Sequence, residues 1–333
     1  VRVLGSAWLA RSLTIAVGAA AATSACASTS RPSDLAPARP VVTASVANAR
    51  CASCHSEIAS EWSGSNHALG FRHATFQTAF AIEPVEECAD CHAPESGKER
   101  AKSETDLGVG CVTCHASATL STRHGHESWV PNPGRRTAVR LEASRPDALC
   151  EDCHEVRYTD TTFVLQRTAS EHRASRAKNQ SCISCHMARV TTATGTHVDH
   201  GAFASRDPRL LAEASTIAVS HEGADVRFVF TRARAGHAFP TGDVFRRLRL
   251  VVRDASGKRA ERILSRKTRE IPERDDRPFA DGNDRSVATV DVHSLTAPFT
   301  WEVVYERVGH PTEANGSGAL IDGASVVARG FTP

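Results

Sequence analysis

One pattern, Cys-x-x-Cys-His, occurs five times between Cys51 and His186: at Cys51–His55, Cys88–His92, Cys111–His115, Cys150–His154 and Cys182–His186. Two thiols three residues apart project from one helical turn, and a His follows directly. That combination is the attachment signature of c-type haem. Cys51, Cys54, Cys88, Cys91, Cys111, Cys114, Cys150, Cys153, Cys182 and Cys185 would add in pairs across the two vinyl groups of a porphyrin. His55, His92, His115, His154 and His186 would each give an iron one axial nitrogen. Five covalently attached haem c groups are therefore expected. Zinc sites and redox dithiols also use Cys-x-x-Cys, but neither calls for a His after the second Cys of all five pairs.

The motifs consume ten of the 11 cysteines and leave Cys26, so a disulfide framework is not expected. Aromatic residues make up only 5% of the 333 residues, as expected if porphyrins supply the large flat apolar surfaces. A net charge of +2 points neither to nucleic acid nor to a strongly basic docking face.

Residues 1–26 read as an export signal: Arg2 and Arg11 are the only charges, and Leu13–Ala22 is an apolar run too short to span a bilayer. Thr23-Ser24-Ala25-Cys26 resembles a lipoprotein box with Cys26 as the lipidated residue, although Thr23 stands where Leu is usual. Cleavage at Ala25-Cys26-Ala27 is the alternative. Either way export to the periplasm or outer membrane is expected, and the lipoprotein reading, the one preferred, would limit membrane contact to the lipid anchor at Cys26. Residues 27–48, rich in Ser, Pro and Ala, form a flexible tether.

Residues 49–212 are expected to be a mainly α and irregular domain wrapped around a haem stack, with helices over Ser56–Ala68 and Leu165–Lys178. From 213 to 333 the pattern alternates. Strands are expected at Val226–Thr231, Phe245–Arg253, Val287–Val292 and Thr300–Val308, with a hairpin turn at Asp254–Gly257, together a small β-sandwich. The charged run Ser265–Asp284 reads as a surface loop.

What occupies the second face of each iron separates electron transfer from catalysis. Met187 follows its own motif too closely to serve, so distal ligands must come from His67, His73, His124, His126, His172, His197, His200, His221, His237, His293 and His310. Trp62-Ser63-Gly64-Ser65-Asn66-His67-Ala68 resembles the W-x-x-S-x-H-A signature of multihaem cytochromes of the cytochrome c-554 type. Gly108–His115 with His124 and His126 downstream, and Cys185-His186-Met187 with His197, His200 and Phe203, are similar to two further segments of that family. The resemblance covers about 49–203 and implies a haem-stacking fold. It also implies His67, one of His124 and His126, and one of His197 and His200 as distal ligands. The chain departs from the family in having a fifth motif and an added C-terminal domain.

His172 sits on an expected helix before the fifth motif, as His67 follows the first, and is a further candidate. Gly236-His237-Ala238-Phe239-Pro240-Thr241-Gly242 is similar to a loop of β domains appended to multihaem cytochromes, and His237 is a candidate ligand from across the domain boundary. His73, His221, His293 and His310 read as solvated. The function expected is electron transfer along mostly bis-His haems between redox partners, such as periplasmic or outer-membrane cytochromes. The alternative is an oxidoreductase acting on a small nitrogen or sulfur compound at one open iron. No motif has Lys in place of His, which weighs against it.

Overall fold

Every Cys-x-x-Cys-His run lies on a short helix or ends one. The structure, a computed structural model, describes residues 43–97, 100–115, 147–157, 163–201, 207–268, 272–309 and 319–333. Cys26, His124, His126 and His310 lie outside them. The first motif closes α1 (Ala44–Cys54), and α2 (Ser56–Ser63) and α3 (Ala74–Ile82) follow. The second ends α4 (Glu86–His92), and α5 (Lys102–Leu107) leads into the third, which is α6 (Cys111–His115). The fourth ends α7 (Ala148–His154). A two-stranded ribbon, β1 (Glu155–Arg157) with β2 (Val164–Arg167), then delivers the chain to α8 (Thr168–Ala174). The fifth motif is α9 (Cys182–His186), where the Ser181 hydroxyl accepts from Ser184 N at 3.2 Å and caps the turn. The hairpin of β3 (Arg189–Thr192) and β4 (Gly195–Val198) ends this part.

Two expected helices are shorter than the sequence suggested. The run from Ser56 ends at Ser63 because Ser-Gly-Ser favours turns over helix interior. Val164–Arg167 is strand, because its β-branched start pairs with Glu155–Arg157.

Asp207 caps α10 (Pro208–Glu213), its carboxylate accepting from Arg209 N and Leu210 N, with Pro208 in the first turn. The chain then becomes a sandwich. One sheet has the order β11 (Arg285–Asp291), β6 (Asp225–Arg232), β5 (Ser215–Glu222). The other has β13 (Ile321–Thr332), β12 (Phe299–Val308), β7 (Arg246–Arg253), β8 (Arg259–Leu264). All pairings are antiparallel, and the chain changes sheets between β6 and β7, β8 and β11, and β11 and β12: an immunoglobulin-like three-on-four arrangement. Asp254 Oδ1 accepts from Ser256 N and Lys258 N and turns β7 into β8. Alternation puts Phe228, Phe230, Leu248, Leu250, Val252 and Val303 inside, all without solvent exposure, and Trp301 meets Phe228 edge to face at 5.9 Å.

Ser265–Asp284 is not a surface loop. It contains the short strands β9 (Arg266–Lys267) and β10 (Arg274–Asp275), and Ser265, Arg266, Arg277 and Phe279 are buried. Its buried charges, Arg266 and Arg277, are paired with Glu273, Asp275 and Glu171.

Residues 41–333 pack as one compact unit, yet the two parts are built differently. Among the described residues before 208 the buried apolar side chains are alanines plus Leu107 and Val112, whereas the largest fully buried apolar side chains belong to the sandwich. Among the described residues no helix is long and apolar enough to cross a membrane.

Candidate haem sites and their ligands

The motif helices are packed so that sulfurs of different motifs meet. Cys150 of the fourth and Cys182 of the fifth converge on Asp147, all three donor atoms lying within 4.8 Å of one another, and Asp147 Oδ1 accepts from Cys182 N at 2.9 Å. The thiols of Cys91 in the second and Cys153 in the fourth are hydrogen-bonded to each other. The first and third motifs are tied through Asn48, whose Oδ1 accepts from Cys111 N at 2.6 Å.

Three motif histidines face a second imidazole. Ring centroids are 6.4 Å apart for His154 and His67, 6.1 Å for His115 and His200, and 6.2 Å for His186 and His237, the last pair within 8° of parallel. Two metal–imidazole bonds of about 2 Å, with each ring nitrogen about 1.1 Å from its ring centre, set two centroids about 6 Å apart. Side chains in direct van der Waals contact would stack closer, as His92 does on Phe76 at 4.0 Å.

The ring nitrogens agree with that spacing. Nδ1 of His92 donates to Gly70 O at 2.8 Å, that of His200 to Val198 O at 2.7 Å, and that of His237 to Ala238 O at 2.8 Å. A proton fixed on Nδ1 leaves the Nε2 lone pair for a metal. At His154 the arrangement is reversed, the Gln166 side-chain nitrogen donating to Nδ1 at 3.1 Å. Burial, with smaller contributions from His154 and His92, pushes His67 down to about 4. Burial, then His237, does the same to His186, and burial outweighs the Ala238 bond in taking His237 to about 4. Neutral imidazole is the form that ligates.

Two of the sequence signatures turn out to be one contact. Trp62 Nε1 donates to Val109 O at 2.8 Å, Ser65 Oγ accepts from Ala68 N at 3.1 Å, and Val109 N donates to His67 O at 2.9 Å. Gly108, at φ +64°, passes so close that a Cβ would lie 2.5 Å from His67 O. The W-x-x-S-x-H-A segment is therefore clamped to the run preceding the third motif, and His67 is aimed from that clamp. His200 is held likewise: Glu61 accepts from His200 N at 3.0 Å and from His197 Nε2 at 2.8 Å. His197 thus spends its Nε2 on a carboxylate.

His237 comes from the β6–β7 connection. Gly242 has no space for a side chain, since a Cβ would sit 2.6 Å from Arg167 C and Thr168 N, and the Thr168 and Thr241 hydroxyls are hydrogen-bonded. Arg277, with no exposed surface, donates to Pro240 O at 2.9 Å and to Thr241 O. It also binds Asp275 and, at 2.6 Å, Glu171 of α8. Glu171 in turn accepts from Ala238 N at 3.2 Å. Arg266 donates to Gly242 O at 2.8 Å and pairs with Glu273.

The remaining candidates are placed otherwise. His172 lies against Gly236, and His73 is 3.7 Å from Asp322. His221 bonds Gly223 O, and His293 bonds Asp291 in solvent. Among the described residues no imidazole stands opposite His55 or His92 at the spacing of the three pairs. The helical part also passes a packing test for porphyrin: His154 and His115 lie deep among protein atoms, yet their rings are open to solvent-sized contact, and the surrounding buried side chains are mostly alanines. Thiol pairs, facing imidazoles and an interior short of large side chains together fit haem c.

Residues 38–193 match the N-terminal region of the NapC/NirT cytochrome c family. The chain is a multihaem c-type cytochrome. It is 23% identical over 201 residues to a high-molecular-weight cytochrome c of Nitratidesulfovibrio vulgaris, covering 45% of this chain and 35% of that protein. Over 99 residues it is 25% identical to the denitrification system component NirT of Stutzerimonas stutzeri, covering 30% of this chain and 48% of that protein. The cytochrome thus spans about a third and about half the lengths of these curated relatives. Its fold resembles the crystal structure of a penta-heme cytochrome c552 from Thermochromatium tepidum, with TM-score 0.61 and 17% identity over 88% of this chain and 99% of the other. That coverage takes the likeness into the sandwich. The cytochrome's less legible residues are Glu61, Glu171, Asp275 and Arg277, which hold ligand segments in place. Isolated charges scattered through a sequence carry no spacing signal, so only the fold brings them together.

Proposed function

We propose that this cytochrome is an exported pentahaem electron conduit, with residues 49–212 carrying the haems and 213–333 forming an appended sandwich. The three opposed imidazole pairs carry the reading. His154 with His67, His115 with His200, and His186 with His237 are assigned as axial pairs at three irons. For the haems of Cys51–His55 and Cys88–His92 the remaining candidates are His124, His126 and His172. Haem c, when bound, supplies reversible one-electron chemistry at iron. The chain's own part is to fix His200 and His237 through Nδ1 bonds to Val198 O and Ala238 O, and to exclude substrate from the iron by saturating it. It also brings Cys91 against Cys153 and Cys150 against Cys182, so that neighbouring attachment edges touch. Cys26 is proposed as the lipid anchor, the residues after it up to the start of α1 at Ala44 as a tether shorter than the expected 27–48, and other redox proteins of the periplasm or outer membrane as partners.

Electron paramagnetic resonance of the oxidised, haem-loaded protein tests this, alongside a haemochrome assay for five haems per chain. Low-spin signals should account for nearly all the iron. High-spin signals from three or more haems would overturn the assignment. A single high-spin haem whose signal shifts with nitrite or hydroxylamine would instead favour the oxidoreductase alternative.

A further inference from the structure

The β6–β7 loop that carries His237 has an unusual polar economy. Ser175 Oγ donates to Gly236 O at 2.8 Å, Arg232 to His237 O at 2.9 Å, and Phe239 N to Pro278 O at 2.9 Å. Arg277 serves the carbonyls of Pro240 and Thr241, and Arg266 that of Gly242. With Arg232 also donating to Ala235 O, three arginines with at most 1% exposed side chain hold five loop carbonyls, and each also meets a carboxylate: Asp284, Asp275 or Glu273. Burying a guanidinium is costly, and a buried ion pair seldom repays the desolvation in stability over an apolar filling. What such a network does supply is one defined position for the segment it grips.

Arg266 reaches the helical part at Val164 O and Leu165 O of β2, at 2.6 and 3.2 Å, but of the three only Arg277 pairs with a carboxylate there. Its Nη2 lies 2.6 Å from both Asp275 of the sandwich and Glu171 of α8, and Glu171 binds the amide of Ala238 next to His237. The guanidinium thus links three things: the sandwich, the loop, and the helix that precedes the fifth motif. A Lys could meet one of these partners but not the whole fork.

We infer that Arg277, acting through Glu171 and the loop carbonyls, is a positioning residue for His237, and that the sandwich thereby serves as the donor of the fifth haem's second ligand. The inference rests on the His186–His237 assignment above. Loosening the grip should let His237 leave the iron part of the time, giving a five-coordinate, high-spin population that added imidazole returns to low spin.

The test uses the full haem-loaded chain in four forms: wild type, His237→Ala, Arg277→Gln and Glu171→Gln. Each is measured by electron paramagnetic resonance with and without imidazole, with hydrogen exchange on β6 and β12 to check that the sandwich stays folded. His237→Ala should turn one haem high-spin and be rescued by imidazole. Arg277→Gln should raise the high-spin signal roughly tenfold over wild type, the size of an ordinary lost polar grip on a ligand. Glu171→Gln, which keeps shape and removes one charge, should raise it less and covers the case in which Arg277→Gln unfolds. If His237→Ala leaves the spectrum unchanged, the ligand assignment itself falls. If His237→Ala is high-spin while every folded clamp variant matches wild type, the assignment stands and the positioning role is refuted.

Discussion

The sandwich and the helical region solve the problem of an interior in opposite ways. The sandwich brings its own: Phe228, Phe230, Phe279, Phe299, Leu248, Leu250 and Leu264 are all essentially without solvent exposure. Among its described residues the helical region buries alanines, with Leu107 and Val112, and Phe71, Phe76 and Phe80, which cluster together with Phe76 stacked on His92, are only partly buried. Its order must therefore come from groups joined to its cysteines, because small side chains remove too little apolar area from water to offset chain entropy. The same chain thus holds one part that folds on its sequence and one that folds on its cofactors.

Removing the porphyrins gives the sharpest way to break that contrast. Produced without haem attachment, residues 43–201 should lose amide protection almost completely, whereas β5–β8, β11 and β12 should stay protected. Hydrogen exchange read by mass spectrometry reports both regions in one sample. Equal protection in both would show that the helices hold themselves, and the contrast would be wrong.

The second test strikes the sandwich. Phe228→Ala removes a ring packed against Trp301 and should cost about 3–5 kcal/mol of its stability, whereas Ala89→Gly in α4 should cost about 1 kcal/mol through backbone freedom alone. Denaturant titration of the haem-loaded protein, followed by hydrogen exchange on β6 and β12 for one part and Soret absorbance for the other, separates the two. A Phe228→Ala loss below 1 kcal/mol would mean the β core is not what holds this half.

How far the sequence alone revealed this follows the same division. The five Cys-x-x-Cys-His runs stood out because covalent attachment of haem calls for a fixed spacing, and four strands were legible because one buried face imposes a period of two. Strands β5, β8 and β13 were harder to see, since Ser, His, Glu and Arg interrupt their alternation and pairing with neighbours decides them. The motif W-S-G-S-N-H-A could be recognised, but not that it grips Gly108–Val109, because that contact joins residues some forty positions apart. Ser265–Asp284 misled for a physical reason. A run of charges reads as solvated unless one knows that Arg266 and Arg277 meet Glu273, Asp275 and Glu171 in the fold.

Acid should loosen that seam before either part unfolds. Burial pushes the Asp275 carboxyl up, but hydrogen bonding and charge from Arg277, then Arg167, outweigh it and hold the group below its usual range. A carboxylate depressed in the folded state contributes its stabilisation above its unfolded value of about 4, and that contribution is lost as pH falls through the folded value. The seam around Asp275, with Arg167, Glu171, Glu273 and Arg277, should therefore open below about pH 4 and tighten again on neutralisation. Exchange at Ala238 and Phe239 amides, measured from pH 6 to 3 and corrected for intrinsic rate, reads this directly. Asp275→Asn should remove most of the pH dependence in that window.

The smallest expected effect comes from the same kind of charge pair placed in solvent. Lys102 and Asp106 are 2.6 Å apart on α5, as close as Arg277 is to Glu171 and Asp275, yet their side chains are 86% and 38% exposed. Water screens the attraction, two long side chains lose freedom to meet, and Asp106 lies near the helix C-terminus, where negative charge opposes the backbone dipole. Lys preceding Asp is also the weaker orientation for an i,i+4 pair. Asp106→Asn should then change stability by less than about 0.5 kcal/mol, with either sign open to the dipole term. Denaturant midpoints at low and high salt check it, and a loss comparable to that of Phe228→Ala would mean the helical part depends on its surface charges for order that we assign to porphyrin.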